Sequence, residues 1–108
     1  MNNVRLARKG SSWTKHGINA DGDYSRVYYA SGGCDMVRQT MKAWESILPP
    51  GDFLRIHRAH IINIGHVTTT SQSEGEFAVT LRGDYPRCTV SRRRVKEVLN
   101  QLPDQATD

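Results

Sequence analysis

The sequence predicts a mainly β fold carrying two helices, and three observations lead there. Short runs of β-branched and aromatic residues, such as Tyr24-Ser25-Arg26-Val27-Tyr28-Tyr29-Ala30, follow dense turn clusters, such as Asn19-Ala20-Asp21-Gly22-Asp23. Only two stretches repeat their apolar residues at intervals of three and four, and each runs into proline. The apolar run Ala59-His60-Ile61-Ile62-Asn63-Ile64 is too short for a helix and rich in β-branched residues, which favours a strand.

Taken in order, Val4, Leu6 and Ala7 among Arg5, Arg8 and Lys9 suggest a short edge strand or a loose segment, which Gly10-Ser11-Ser12 interrupts. Trp13 to Ile18 has weak periodicity, but the turn cluster after it and the run from Tyr24 to Ala30 predict a hairpin. Ser31-Gly32-Gly33 then reverses the chain, so that Cys34 to Arg38 pairs back. Thr40 is placed to cap a helix whose Met41, Trp44, Ile47 and Leu48 share one face, and Pro49-Pro50-Gly51 stops it. Phe53, Leu54 and Ile56 lead into the strand of Ala59 to Ile64. Val67 to Ser71 and Glu76 to Arg82 alternate around Gln72-Ser73-Glu74-Gly75 as another hairpin, and Arg82-Gly83-Asp84 turns into Arg87 to Val90. The last element is a helix starting at Ser91, with Val95, Val98, Leu99 and Leu102 along one face and Pro103 beyond it. The sum is about seven short strands and two helices, with no internal repeat or linker.

At 12.2 kDa there is room for one domain, and folding would hide about two thirds of the extended chain's surface. The expected organisation is a loose segment or edge strand at 1–12, one domain at 13–102 and an acidic tail at 103–108. No apolar run approaches the roughly 18 residues of a membrane helix, and no signal-peptide pattern follows Met1, so a cytoplasmic protein with no membrane contact is expected. Cys34 and Cys88 lack the spacing of a disulfide framework or a CxxC motif, which favours reduced thiols over a bridge.

A net charge of +4 is mild, but Arg87, Arg92, Arg93, Arg94 and Lys96 cluster opposed only by Glu97. Polyanions become the first partner class to consider. Arginines in the first turn of a helix oppose its dipole by about 0.3–1 kcal/mol each, a penalty that a docked anion reverses. Guanidinium forks suit phosphate or guanine, whereas the plainer account is a solvated basic face paired with nearby carboxylates. His57-Arg58 sits between two apolar segments and is displayed from a bend in anchored backbone. His57 and His60 have a helical ligand spacing without a completing acid or cysteine, so packed or hydrogen-bonded histidines are a better account than a metal site. Asp21-Gly22-Asp23 lacks the remaining ligands of a calcium loop, Ser25 has no nucleophile elbow, and Gly32-Gly33 lacks the Lys and Ser or Thr of a phosphate-binding loop. Neither catalysis nor a cofactor is expected.

The segment FLRIHRAHIINIGHV from Phe53 to Val67, followed by TVSRRRVKEVL from Thr89 to Leu99, resembles the LytTR family of bacterial DNA-binding domains. The upstream INADGDYSRVYY and the Arg38-Gln39-Thr40-Met41 helix start resemble it too, so the likeness runs from about Ile18 to Leu99. In this family a histidine-arginine motif, a strand ending in Val-Asn and a late serine-arginine helix start occur in that order.

The resemblance implies an elongated, mainly β domain of small antiparallel sheets with helices at the side, in which loops enter successive major grooves of duplex DNA. It implies base contacts from Ser25, Arg58 and Arg93, with His57 and Arg92 as neighbours, Arg26, Arg94 and Lys96 against phosphate, and Ser91 capping the late helix. Ala59 stands where the family usually has a small hydroxyl residue, and Lys15-His16-Gly17 replaces a more apolar first strand. A bacterial response-regulator-like transcription regulator is implied, acting on tandem or paired sites, with room for a homodimer on DNA. Most such regulators carry a separate sensory or receiver domain; the chain is expected to be either a fragment of one or a stand-alone binder controlled by expression level or by a partner. The alternatives are a basic RNA-binding module stacking bases on Tyr24, Tyr28 and Tyr29, or a protein-interaction module meeting an acidic partner.

Overall fold

The computed structural model describes residues 15–83, 85 and 87–102. The expectations for 1–12, Trp13, Asp84 and the tail at 103–108 fall outside the described residues. Eight strands and two α-helices are present among those described: β1 (Lys15–Asp21), β2 (Tyr24–Tyr29), β3 (Cys34–Val37), α1 (Met41–Ile47), β4 (Phe53–His57), β5 (His60–Asn63), β6 (Val67–Ser73), β7 (Glu76–Leu81), β8 (Cys88–Val90) and α2 (Val95–Gln101). Two 3-10 turns, Ile64–His66 and Arg92–Arg94, precede β6 and α2. All strand pairs are antiparallel, in a five-stranded sheet of order β3-β2-β1-β5-β4 and a three-stranded sheet of order β6-β7-β8. The molecule measures 42 × 28 × 23 Å, which is the elongated mainly β domain the sequence predicts.

Alternation along each strand divides the core in two. Ile18, Val27, Tyr29 and Ile61 face α1, where Met41, Trp44 and Leu48 cover them. On the opposite face, Leu54, Ile56 and Ile62 pack against Phe77, Val79, Leu81 and Val90 of the smaller sheet, against Val98 of α2 and against Leu102 at its C-terminal cap. Adjacent Ile61 and Ile62 thus serve opposite cores, as a period of two requires, and β5 is buried on both sides.

Helix α1 starts where the sequence places it: Thr40 Oγ1 accepts from Ala43 N–H at 3.0 Å, and Pro49 follows the last turn. Its face is narrower than the spacing suggests, because Ile47 is 62% exposed. Leu99 of α2 is 47% exposed for the same reason: two short turns of helix bury only a narrow stripe, here Val98 and Leu102. Ser91 does not cap with its side chain. The chain enters a 3-10 turn there, and Arg94 N–H donates to the Ser91 carbonyl at 2.8 Å, so the hydroxyl's usual partner is already taken.

Lys15-His16-Gly17 begins a central strand, not an edge. Three features let a polar segment occupy that position. A β-bulge at His16 lifts it out of the ladder with β2. A Cβ at Gly17 would lie 2.6 Å from Tyr85 Oη, so only glycine admits the tyrosine. His16 itself joins the two sheets: its Nε2–H donates to the Arg82 carbonyl at 2.7 Å, leaving Nδ1 to accept from His66 Nδ1–H at 2.7 Å. A proton added at His16 Nδ1 would face that N–H. Neither cysteine forms a disulfide; Cys34 is exposed and Cys88 buried, and burial pushes the Cys88 thiol up to about 11.

The histidine joint makes stability depend on pH. Burial first, then the Arg82 charge and His16, push His66 from 6.5 down to about 4, and burial lowers His16 as well. The unfolded chain therefore takes up protons that the fold excludes. Stability is complete above pH 6.5 and declines as pH falls from there towards about 4, by up to about 1.4 kcal/mol per pH unit per proton. Urea unfolding at stepped pH should show this decline, and His66→Gln should make it shallower; an unchanged slope would remove His66 from the joint.

Candidate nucleic-acid interface

Three turns meet at one end of the five-stranded sheet. The first is Gly22-Asp23 between β1 and β2, where Gly22 at φ +63° occupies a conformation other residues resist. The second is Arg58-Ala59 between β4 and β5. The third is the 3-10 turn Arg92–Arg94 that follows Ser91. Backbone hydrogen bonds tie the outer two to the middle one: Ala20 N–H donates to the Ala59 carbonyl, and Ser91 N–H to the Ile56 carbonyl, each at 2.9 Å.

A second β-bulge makes the latter bond available. Arg55 pairs with Ile61 and His57 with His60, leaving Ile56 as the extra residue of β4. Because β4 is an edge strand, its outward carbonyls need another partner, and the third turn supplies it. Arg94 Nη1 also donates to the Arg55 carbonyl at 3.3 Å.

The side chains fall into three groups. Arg58, Arg92, Arg93 and Lys96 are exposed. Their charged groups make no hydrogen bond or ion pair among the described residues, so the carboxylate pairing expected of an ordinary basic surface is not found for these four. Arg26 and Arg94 are partly committed. Arg26 bonds Asp21 at 2.8 Å, which raises its pKa further, and Arg94 is half-buried on the Arg55 carbonyl.

Ser25 and His57 turn inward. Ser25 was expected to contact a base, but its side chain is 1% exposed and its hydroxyl donates to the Gln39 carbonyl. It shares a strand face with Val27 and Tyr29, both buried, and it anchors the first turn rather than presenting a donor to a duplex. His57 is half-buried, and its Nδ1 accepts from Ala59 N–H at 3.1 Å, closing the second turn. Its ring lies 5.2 Å from that of His60, whose pKa is lowered by burial and by His57 beside it. Both histidines are therefore structural elements of the bend. No group of three or more His, Cys, Asp and Glu side chains gathers among the described residues.

Several contributors carry no motif. Asn19 Oδ1 accepts from His60 Nδ1–H and from Tyr85 Oη–H, each at 2.8 Å, linking the second turn to the sheet junction. A cleft of about 570 Å³ beside the first turn is lined by Asp23, Tyr24, Ser25, Arg38, Lys42 and Arg55, bringing in Arg38 from the β3–α1 connection and Lys42 from α1. Arg55 extends under the second turn to α1, donating to Glu45 at 2.9 Å and to the Arg58 carbonyl at 2.7 Å. Its position between core-facing Leu54 and Ile56 was the sequence signal that it points towards α1. The stacking platform of the RNA alternative is not assembled: Tyr29 is buried, Tyr28 packs edge-on against Tyr85 at 4.9 Å, and Tyr24 alone of the three is exposed.

Residues 16–103 match the family model of the LytTr DNA-binding domain, a span that contains all three turns. The chain belongs to the LytTR family. Its fold is similar to the LytTr DNA-binding domain of a Bacillus cereus protein described as a methyl-accepting/DNA response regulator, with a TM-score of 0.69 and 19% identity over 80% of this chain and 81% of that one. No curated protein gives a significant match. This LytTR domain is a DNA-binding module of the kind found in transcription regulators, and the family is not a class of enzymes. No helix among the described residues is long and apolar enough to cross a membrane.

The burial of Ser25 has a measurable consequence. Ser25→Ala should lower unfolding free energy by about 0.5–1.5 kcal/mol in urea and weaken binding to every duplex by the same factor. A loss confined to one base sequence would restore Ser25 as a reader.

Proposed function

We propose that the domain reads sequence in duplex DNA by inserting its three turns into successive major grooves, acting without catalysis as the DNA-binding part of a cytoplasmic transcription regulator. Arg58 and Arg93 are the base readers, each able to make a bidentate contact with guanine O6 and N7. Arg92 flanks Arg93, Lys96 lies against phosphate, and Arg26 and Arg94 reach phosphate after partial release from their present partners. His57 and Ser25 shape the turns that carry these groups. Operators are paired or tandem sites occupied by a homodimer, and a sensory or receiver domain, or a partner protein, controls occupancy.

One observation carries the reading: exposed arginines without ion-pair partners stand on turns that are joined by backbone hydrogen bonds. A solvated basic face needs no such joining, whereas base reading requires donors held at fixed separation.

Selection of bound sequences from a random duplex pool, followed by binding to the recovered site, tests the reading. Arg58→Ala and Arg93→Ala should each cost about 1–3 kcal/mol on that site and relax base choice at one position. Lys96→Ala should weaken all duplexes alike and reduce the log-log salt slope by about 0.9. Equal losses for the arginine variants on recovered and scrambled duplexes would contradict base reading, and preferential retention of single-stranded RNA would overturn the duplex assignment.

A further inference from the structure

We propose that Arg55, which does not face the duplex, is a positioning residue that sets the aim of Arg58 and couples the second reading turn to the third. The inference rests on the base-reading role proposed above for Arg58 and Arg93.

The Arg55 side chain bridges α1 and the middle turn. Its Nη1 donates to Glu45 Oε1 at 2.9 Å and its Nη2 to the Arg58 carbonyl at 2.7 Å. Its own carbonyl accepts from Arg94 Nη1 at 3.3 Å, and the next carbonyl, of Ile56, accepts from Ser91 N–H. One residue and its neighbour therefore touch a helix, the second turn and the third turn.

The guanidinium is planar, with its two Nη donors at a fixed angle. Once Glu45 holds Nη1, the direction of Nη2 is set, and with it the orientation of the peptide that follows Arg58. That carbonyl belongs to the residue whose side chain reads the base. A tilt of about 10–20° there displaces a group at the end of a long side chain beyond the tolerance of about 0.5 Å that a bidentate contact allows. The arginine's side chain is only 18% exposed and both of its Nη groups are engaged, so it is not itself placed to bind phosphate. As a stabilising device alone the pair would be inefficient, because Glu45 is 44% exposed and such pairs add little to stability.

The test uses the full chain carrying Arg55→Met, which retains apolar length without the forked donors, and Glu45→Gln, a milder change on an exposed helix position. Two measurements are made on each. Without DNA, amide chemical shifts should change at Arg58–Ala59 and Ser91–Arg94 and stay unchanged at the β6–β7 turn. With DNA, the affinity ratio between the duplex recovered by selection and a scrambled duplex should fall about tenfold for Arg55→Met and about threefold for Glu45→Gln, with the salt slope unchanged. Adding Arg58→Ala to Arg55→Met should reduce the ratio little beyond Arg58→Ala alone, because both changes remove the same aimed contact.

A salt slope lowered by about 0.9 in Arg55→Met would make Arg55 a phosphate contact and overturn the positioning role. Shift changes spreading to the β6–β7 turn, with discrimination intact, would reduce it to a general packing residue. If Arg55→Met does not fold, Glu45→Gln decides by the same two readouts. Wild-type discrimination that persists unaltered in the variants overturns this inference alone; absence of discrimination in the wild type overturns the base-reading role and this inference with it.

Discussion

The bulge at Ile56 is the constraint on which the interface depends. A regular edge strand presents outward carbonyls to solvent or to another chain. Here the extra residue directs one of them at Ser91 N–H, while the preceding carbonyl accepts from Arg94. The same pair of bonds closes the open edge of the sheet and fixes where the arginine turn leaves it. Without the bulge, the third turn would have no backbone partner on β4, and its separation from Arg58 would be set only by the packing of α2.

The histidine joint does comparable work at the junction of the two sheets. A bulge at His16 takes a side chain out of the ladder and hands it to Arg82 and His66. Asn19, four residues from Lys15 in the same strand β1, accepts from Tyr85 near that junction and from His60 beside the second turn. A half-buried amide whose one oxygen accepts two donors restricts local rearrangement, since moving away the buried Tyr85 leaves its hydroxyl without that bond. The rigidity that the proposed base reading needs at the turns is supplied by the same polar connections that hold the sheets together.

Periodicity exposed much of the architecture because several strands here alternate in burial. Tyr24–Tyr29, Phe53–His57 and the Thr40-capped helix follow that rule, whereas Glu76–Leu81 also buries Ala78 on its other face. It was silent about Lys15-His16-Gly17, whose burial comes from residues about 50 to 70 positions away, and about the bulges, which change register without changing composition. Ser25 is instructive in the opposite direction. Alternation with Val27 and Tyr29 already put it on the core face, and family correspondence suggested a reader where the strand pattern indicated an anchor. The exposure of Arg58 and Arg93 was legible because each sits at a turn, where the side chain leaves the fold. Arg55 was not, because its significance lies in Glu45 and in a carbonyl three residues away.

A net charge of only +4 makes placement more important than quantity. Each phosphate neutralised by a lysine or arginine adds affinity for any sequence, whereas a guanidinium aimed at a base edge adds affinity for one. Asp21 holds Arg26, Glu45 holds Arg55, and the Arg55 carbonyl holds Arg94, so three cations near the turns are restrained by the protein itself. Restraining them lowers the attraction to random duplex and leaves Arg58, Arg92 and Arg93 exposed with their donors unspent. For the base-reading role proposed for Arg58 and Arg93, the consequence is a higher ratio of specific to non-specific binding at a given total affinity, the quantity that matters when one operator competes with a genome of other sites. On the proposed reading, acidic partners beside the basic surface thus favour discrimination, even though each of them weakens the overall pull on DNA.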